Sequence, residues 1–169
     1  KIHLVCFDES ANKYIGRGYN TALTSDEGSW IHVAFTYSAN ELSSGIKVYR
    51  NATQIDDVDV KSGGAPYIAM ENIASSTAKM AYGTYSNFFS QGKLDECGLW
   101  DKELSSAEIT EIYNSGTPND LTEHSAASNL VGWWRMGDGS TFPNIVDSST
   151  NSNSGTMTNM EAGDINTDV

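Results

Sequence analysis

Residues 30–37 read Trp-Ile-His-Val-Ala-Phe-Thr-Tyr. The run is mostly β-branched or aromatic, with Gly28 before it and Ser38-Ala39-Asn40 after it, so it reads as the strongest strand in the chain. Both of its faces are apolar, as expected of a central strand between packed layers. The next stretch, Gly45-Ile46-Lys47-Val48-Tyr49-Arg50, alternates cleanly: Ile46, Val48 and Arg50 share one face, Lys47 and Tyr49 the other. Asn51-Ala52 then turns the chain and Gln54 to Val60 returns, a hairpin by pattern.

Outward from this hairpin the same signature repeats. Ile2 to Phe7, Tyr14 to Tyr19 and Gly92 to Trp100 read as strands, with Tyr67 to Met70 and Ala78 to Tyr82 as weaker ones and residues 61–66 as a loop. One helix is signalled. Ser105-Ser106-Ala107-Glu108 is a capping box, Ile109, Ile112 and Tyr113 make an apolar stripe, and Gly116 and Pro118 stop the element. Residues 119–129 read as polar linker, Leu130 to Met136 as a further strand and residues 147–155 as loop. Short strands with turn signals every ~8–12 residues argue a β-sandwich or jelly roll.

Composition narrows the function. Ten basic residues stand against 22 acidic ones, a net charge of −12 with no basic stripe, which argues against a nucleic-acid partner. No apolar run approaches the ~20 residues a bilayer needs. Cys6 and Cys97 both lie in apolar runs and read as buried free thiols rather than a bridge, which leaves the redox compartment open. Lys1 is followed directly by a strand-like run, so the chain reads as starting in mid-domain, as a processed product or part of something longer.

Three stretches carry a resemblance. Residues 30–37 with 45–49, then Gly92-Lys93-Leu94-Asp95-Glu96-Cys97-Gly98-Leu99-Trp100, then Leu104 to Asn114, resemble the strands and short helix of laminin-G-like domains of the concanavalin A-like and pentraxin-like superfamily, in that family's order. The resemblance implies an all-β fold, a concanavalin A-like jelly-roll β-sandwich of two antiparallel sheets with one short helix near 105–114. Residues 2–118 are then expected to form the sandwich and 119–129 a linker. Residues 130–169 form a C-terminal extension that completes the sandwich or docks on a partner, since Trp133 and Trp134 need burial that so short a stub cannot supply.

Fold alone assigns no activity, so sites are read residue by residue. A glycosidase needs two carboxylates flanking the bond. The nearest match, Asp95-Glu96, is adjacent in sequence and on a strand would point to opposite faces. Asp56, Asp57 and Asp59 read as solvated carboxylates. An enzyme is therefore not expected. Calcium is the one cofactor the resemblance allows, through loop oxygens. The segment Gly83-Thr84-Tyr85-Ser86-Asn87-Phe88-Phe89 lacks the carboxylates that pentraxins carry there, and Asp147, Asn151 and Asn153 are the remaining oxygen ligands at loop spacing. Tyr85, Asn87, Phe88 and Phe89 are the candidate glycan contacts, as aromatics and an amide on one loop. Asn51-Ala52-Thr53 is an acceptor sequence for N-glycosylation at a turn that wants an Asn anyway.

Leu130 to Gly139 together with Gly155 to Ile165 resembles laminin-G-like segments in structural proteins of marine bacteriophages. The expectation is a non-enzymatic extracellular structural or binding module on a virion surface, as a fibre, appendage or capsid decoration. Its partners would be other virion or surface proteins and a host glycan, within an oligomer or larger assembly. A secreted bacterial lectin or adhesin domain is the alternative, and a glycoside hydrolase stands third.

Overall fold

In the computed structural model, residues 1–61, 66–70, 77–80, 82–83, 88–89 and 92–165 are described. The strands are β1 (Ile2–Asp8), β2 (Lys13–Tyr19), β3 (Val33–Tyr37), β4 (Ile46–Arg50), β5 (Thr53–Gln54), β6 (Val58–Lys61), β7 (Tyr82–Gly83), β8 (Phe88–Phe89), β9 (Cys97–Trp100), β10 (Leu130–Trp134), β11 (Asn144–Ile145) and β12 (Gly155–Thr156), with one α-helix, α1 (Ser106–Tyr113). The chain is an all-β sandwich, with one short α-helix among the described residues. It divides into two compact units: Lys1–Glu71 with Leu99–Val131, and Asn72–Gly98 with Gly132–Val169. The strands β9 and β10 pair with each other, and the division falls within both.

The first unit is layered by the parity of its strands. One sheet has the order β1-β2-β6, the other β3-β4-β5. Alternation puts Ile46 and Tyr37 on one face of the second sheet, where Ile46 joins Cys6, Ile15 and Tyr67 in a buried cluster with Leu4 and Tyr37 against it. Tyr49, one residue out of phase, joins Leu104, Ile109 and Ala126 on the opposite face, with Ala34, Trp100 and Ile112 alongside. Ile46, Val48 and Ile109 are essentially inaccessible to solvent. At about 2 kcal/mol for each such side chain, these clusters hold the sheets and α1 together.

The hairpin forms as its pattern implies. Asn51 and Ala52 both adopt positive φ, 49° and 62°, and Arg50 pairs with Thr53 across a two-residue turn. The return strand does not run on to Val60. It breaks after Gln54, and β6 joins the other sheet beside β2. Asp56 holds the corner, accepting from the Val48 N–H and from the Arg17 guanidinium. Burial pushes its carboxyl up, and those donors more than offset it, leaving it below the usual range.

Two expectations for residues 30–37 are corrected. The strand starts at Val33, not at Trp30, and β3 is an edge of its sheet among the described residues. The reason is the turn. The last ladder pair is Val33 with Arg50, and the chain then curls at Asn51, so residues 30–32 have no strand to pair with. Instead the Asn51 side-chain oxygen accepts the His32 N–H at 2.9 Å, and the His32 carbonyl accepts the Asn51 N–H at 2.9 Å.

The helix follows its signals. Ser105 caps it and donates its own N–H to the Glu108 carboxylate, and the left-handed backbone that ends it begins at Asn114 and runs through Ser115 to Gly116. Residues 67–70 are described and are not strand, and the strands of 92–100 and 130–136 shorten to β9 and β10. In residues 119–129, Leu121, His124 and Ala126 are buried. His124 accepts the Ala126 N–H on Nδ1, which leaves Nε2 to donate to the Glu108 carbonyl at 3.1 Å. Both cysteines are free thiols, Cys6 buried and Cys97 partly so.

In the second unit β7 pairs with β8 and β11 with β12. Trp133 is buried and donates its indole N–H to Glu96 at 2.6 Å, while the Trp134 ring lies over Gly132, where a Cβ would come within 2.5 Å of it. That contact is why glycine precedes the tryptophan pair.

Candidate functional site

Of the four aromatic-loop candidates, Tyr85 and Asn87 lie outside the described residues, and Phe88 and Phe89 form β8, whose side chains are likewise outside the description. Asp147, Asn151 and Asn153 lie in one loop of the second unit. Asp147 is buried, and its carboxylate accepts four hydrogen bonds: Oδ1 from the Trp133 and Ser149 N–H groups, Oδ2 from the Ser149 hydroxyl and the Asn153 N–H, at 2.7–2.9 Å. Burial pushes this carboxyl up, and the donors outweigh it, so it stays ionised below the ordinary range. Asn151 gives its N–H to Ser149, and the Asn153 carbonyl accepts the Trp134 indole N–H at 2.8 Å. The Asp147 oxygens are thus engaged in organising the loop. Among the described residues no three His, Cys, Asp or Glu side chains converge as a metal site.

The acidic pairs read from the sequence have similar occupations. Asp56 and Asp59 both bind Arg17. Asp95 and Glu96 precede β9 rather than lying on it, and Glu96 sits at φ 50°. Glu96 accepts from Trp133 and Arg135, whose guanidinium stands 5.4 Å from the Trp133 ring centroid.

A different surface emerges at the open end of the β3–β4 pair, beside the Asn51-Ala52 turn that leads into β5. Trp30 is 53% exposed, although a tryptophan normally buries most of its ring. Its backbone is not loose. Asp26, in a short 3-10 turn, takes the Arg50 guanidinium at the end of β4, and the Ser29 N–H closes back on the Asp26 carbonyl at 3.0 Å. On its other side, His32 is clamped by Asn51. Trp30 therefore stands between two tethers to the same strand end. The Asn51 side chain makes this clamp through its oxygen alone, so the clamp does not use its NH2. The His32 and Tyr113 rings lie 5.8 Å apart at this end of the unit. An exposed indole on a tethered backbone can stack on the apolar face of a sugar.

The turn-rich stretch Thr24 to Ser29 and the Asn51-Ala52 turn carried the signal for this surface. The turn fixes where the ladder stops: its last pair is Val33 with Arg50, which leaves Trp30 beyond the sheet.

His32 supplies a pH test of this end. Its Nδ1 is buried without a hydrogen-bond partner among the described residues, and burial lowers its pKa from the ordinary histidine value. The unfolded chain then binds the proton more readily, so stability is constant above the unfolded value of about 6.5 and falls as the pH drops through it toward the lower folded value. The urea midpoint is expected to fall from about pH 7 to pH 5.5, and less so in His32→Phe. Equal slopes in the two proteins would show that His32 is not the group responsible.

Among the described residues no helix is long and apolar enough to cross a membrane. The laminin-G family model described as concanavalin A-like lectin/glucanases superfamily matches residues 7–110, more than half of the chain. No curated protein matches it. Among solved structures, the crystal structure of an S-layer domain-containing protein (residues 221–444) from Clostridium thermocellum is similar at 18% identity with a TM-score of 0.39. The match covers 65% of this chain and 61% of that one, so this chain spans less than two thirds of that structure.

Proposed function

Because the chain belongs to the concanavalin A-like lectin/glucanases superfamily, we propose that it is a non-enzymatic extracellular module that contacts carbohydrate through the Trp30 end of its first unit. The observation that carries this reading is Trp30 itself: half-exposed, yet mounted between the Asp26–Arg50 and His32–Asn51 tethers. The occupied state of the acidic side chains supports a binding rather than a hydrolytic role, since Asp56, Asp59 and Glu96 are each committed to arginine. Display on a virion surface is the setting implied by the likeness of residues 130–139 and 155–165 to phage structural segments, and a secreted adhesin is the other setting.

The test is a glycan array followed by calorimetry, each with and without Ca²⁺. Wild-type protein is expected to bind a saccharide independently of Ca²⁺, and Trp30→Ala to weaken binding at least about tenfold. The exposed position predicts an unchanged circular dichroism spectrum and melting temperature for that variant. Binding that survives Trp30→Ala would place the contact elsewhere.

A further inference from the structure

We infer that β3 is an interaction edge, and that its partner is β3 of a second copy of this chain, laid antiparallel about Phe35. Hydrogen bonds at the two ends of the β3–β4 ladder fix which way β3 faces. The Ser38 N–H donates to the Gly45 carbonyl and the Asn51 N–H to the His32 carbonyl. In the register that sets Val33 against Arg50, the positions of β3 bonded to β4 are then Ala34 and Thr36. The N–H and C=O groups of Val33, Phe35 and Tyr37 point away from β4, and no described strand takes them. Phe35 lies opposite Val48, on the side of the sheet where Ile46 and Val48 are wholly buried, yet it is 39% exposed. A core-facing aromatic meets solvent because no described strand continues the sheet beside it.

Native sheet edges are blunted by charge, brevity or a cover. Of the other edges of the two three-stranded sheets, β6 carries Asp59 and Lys61, and β5 spans two residues. The end of β1 is tied by the Asp8 carboxylate to the Ile68 N–H at 3.2 Å. β3 has none of these devices. Residues 28–40 contain no Asp, Glu, Lys or Arg, in a chain of net charge −12. That neutral window selects the occupant. A second copy repels this one over most of its surface, but at this edge it brings an equally neutral strand. The strand is also self-complementary. Antiparallel pairing about Phe35 sets Phe35 against Phe35, Val33 against Tyr37 and Ala34 against Thr36, so aromatic and β-branched side chains meet and no like charges oppose. The pairs of Phe35 and of Val33 with Tyr37 join the backbone groups that β4 leaves unused. A ladder of this length buries less than the ~1,200 Å² at which standard interfaces begin, so the dimer is micromolar and reversible. Its two-fold axis puts the Trp30 positions beyond opposite ends of the shared ladder.

The experiment is sedimentation equilibrium of the intact chain over about 5 to 500 µM, at about 20 and 300 mM salt. Wild type is expected to dimerise, and more tightly in the higher salt, where the net charge of −12 is screened. Phe35→Lys sets two like charges on the axis and is expected to weaken the dimer at least about tenfold. Leu42→Lys makes the same change of charge at an exposed position outside the ladder, and is expected to keep the dimer. The register has its own readout. Backbones about 5.5 Å apart across the axis suit a disulfide, so Phe35→Cys is expected to give a covalent dimer under diamide and Leu42→Cys is not. A wild type that stays monomeric throughout would overturn the pairing. So would a dimer as tight in Phe35→Lys as in Leu42→Lys, or a Phe35→Cys chain left unlinked where the wild type is dimeric. Trp30→Ala is expected to leave the dimer intact, so this pairing and the carbohydrate contact stand or fall separately.

Discussion

Asp147→Ala is expected to destabilise the second unit by about 3–5 kcal/mol, because it strands buried donors rather than deleting one contact. The lost carboxylate leaves the N–H groups of Trp133, Ser149 and Asn153 without their acceptor, and the Trp133 N–H is itself buried. Trp133 is the largest buried side chain in that unit, so the loop and its anchor loosen together. Asp147→Asn keeps one acceptor oxygen and is expected to cost about 1–3 kcal/mol. The wild-type contribution has a sign in pH as well. The folded carboxyl lies below its unfolded value, so this stability is present above about pH 4 and is lost as the pH falls toward the folded value. Urea unfolding followed by tryptophan fluorescence reads both effects. If Asp147→Ala unfolds like the wild type, but a Ca²⁺-dependent rise in stability disappears, the loop is a cation site and not a hydrogen-bonded turn.

Gly18→Val should cost about 3 kcal/mol by overpacking. The pairing of β1 with β2 puts His3 opposite Gly18 and Val5 opposite Gly16, and the side chains of β1 lie across the glycines. A Cβ at Gly18 would stand 2.5 Å from the Ile2 carbonyl oxygen and 1.8 Å from the His3 ring. The ring can rotate away, but the carbonyl belongs to the ladder. Gly16→Ala meets the Leu4 carbonyl at 2.8 Å and is expected to lose about 1–2 kcal/mol. Gly163→Ala, with no atom within 4 Å of the new Cβ, is the control and should be neutral within about 0.5 kcal/mol. Melting temperatures of the three variants decide the point. A Gly18→Val protein as stable as Gly163→Ala would mean that β1 and β2 do not pair in this register.

The sequence was most legible where the decisive interaction is local. The turn at Asn51-Ala52, the capping box of Ser105 and Glu108, and the alternation that separates Ile46 from Tyr49 all act within a few residues, and all three recur in the structure. It was least legible where a residue answers to something distant. The departure of β6 from its own hairpin depends on Asp56 meeting Arg17, 39 residues away. The work of Asp147 depends on Trp133, 14 residues earlier, so its loop reads from sequence as polar and nothing more. Trp30 misled in a different way. Its composition favours a strand core, but a strand needs a partner, and the turn at Asn51 ends the partner first. The glycan-contact candidates Tyr85, Asn87, Phe88 and Phe89 rest on aromatic side chains and an amide in a loop, and Trp30 is a further exposed aromatic because a short ladder leaves it out of the core.

The central claim is that carbohydrate meets the first unit at Trp30. Titration of the 15N-labelled chain with neutral oligosaccharides tests it directly, because the four tryptophans give separate indole N–H signals. The Trp30 indole and the backbone amides of residues 26–32 and Asn51 are expected to shift. The Trp133 indole, held by Glu96, and the Trp134 indole, held by the Asn153 carbonyl, are expected to stay in place. Shifts that fall on Trp133, Trp134 or β8 while Trp30 stays still would contradict the account.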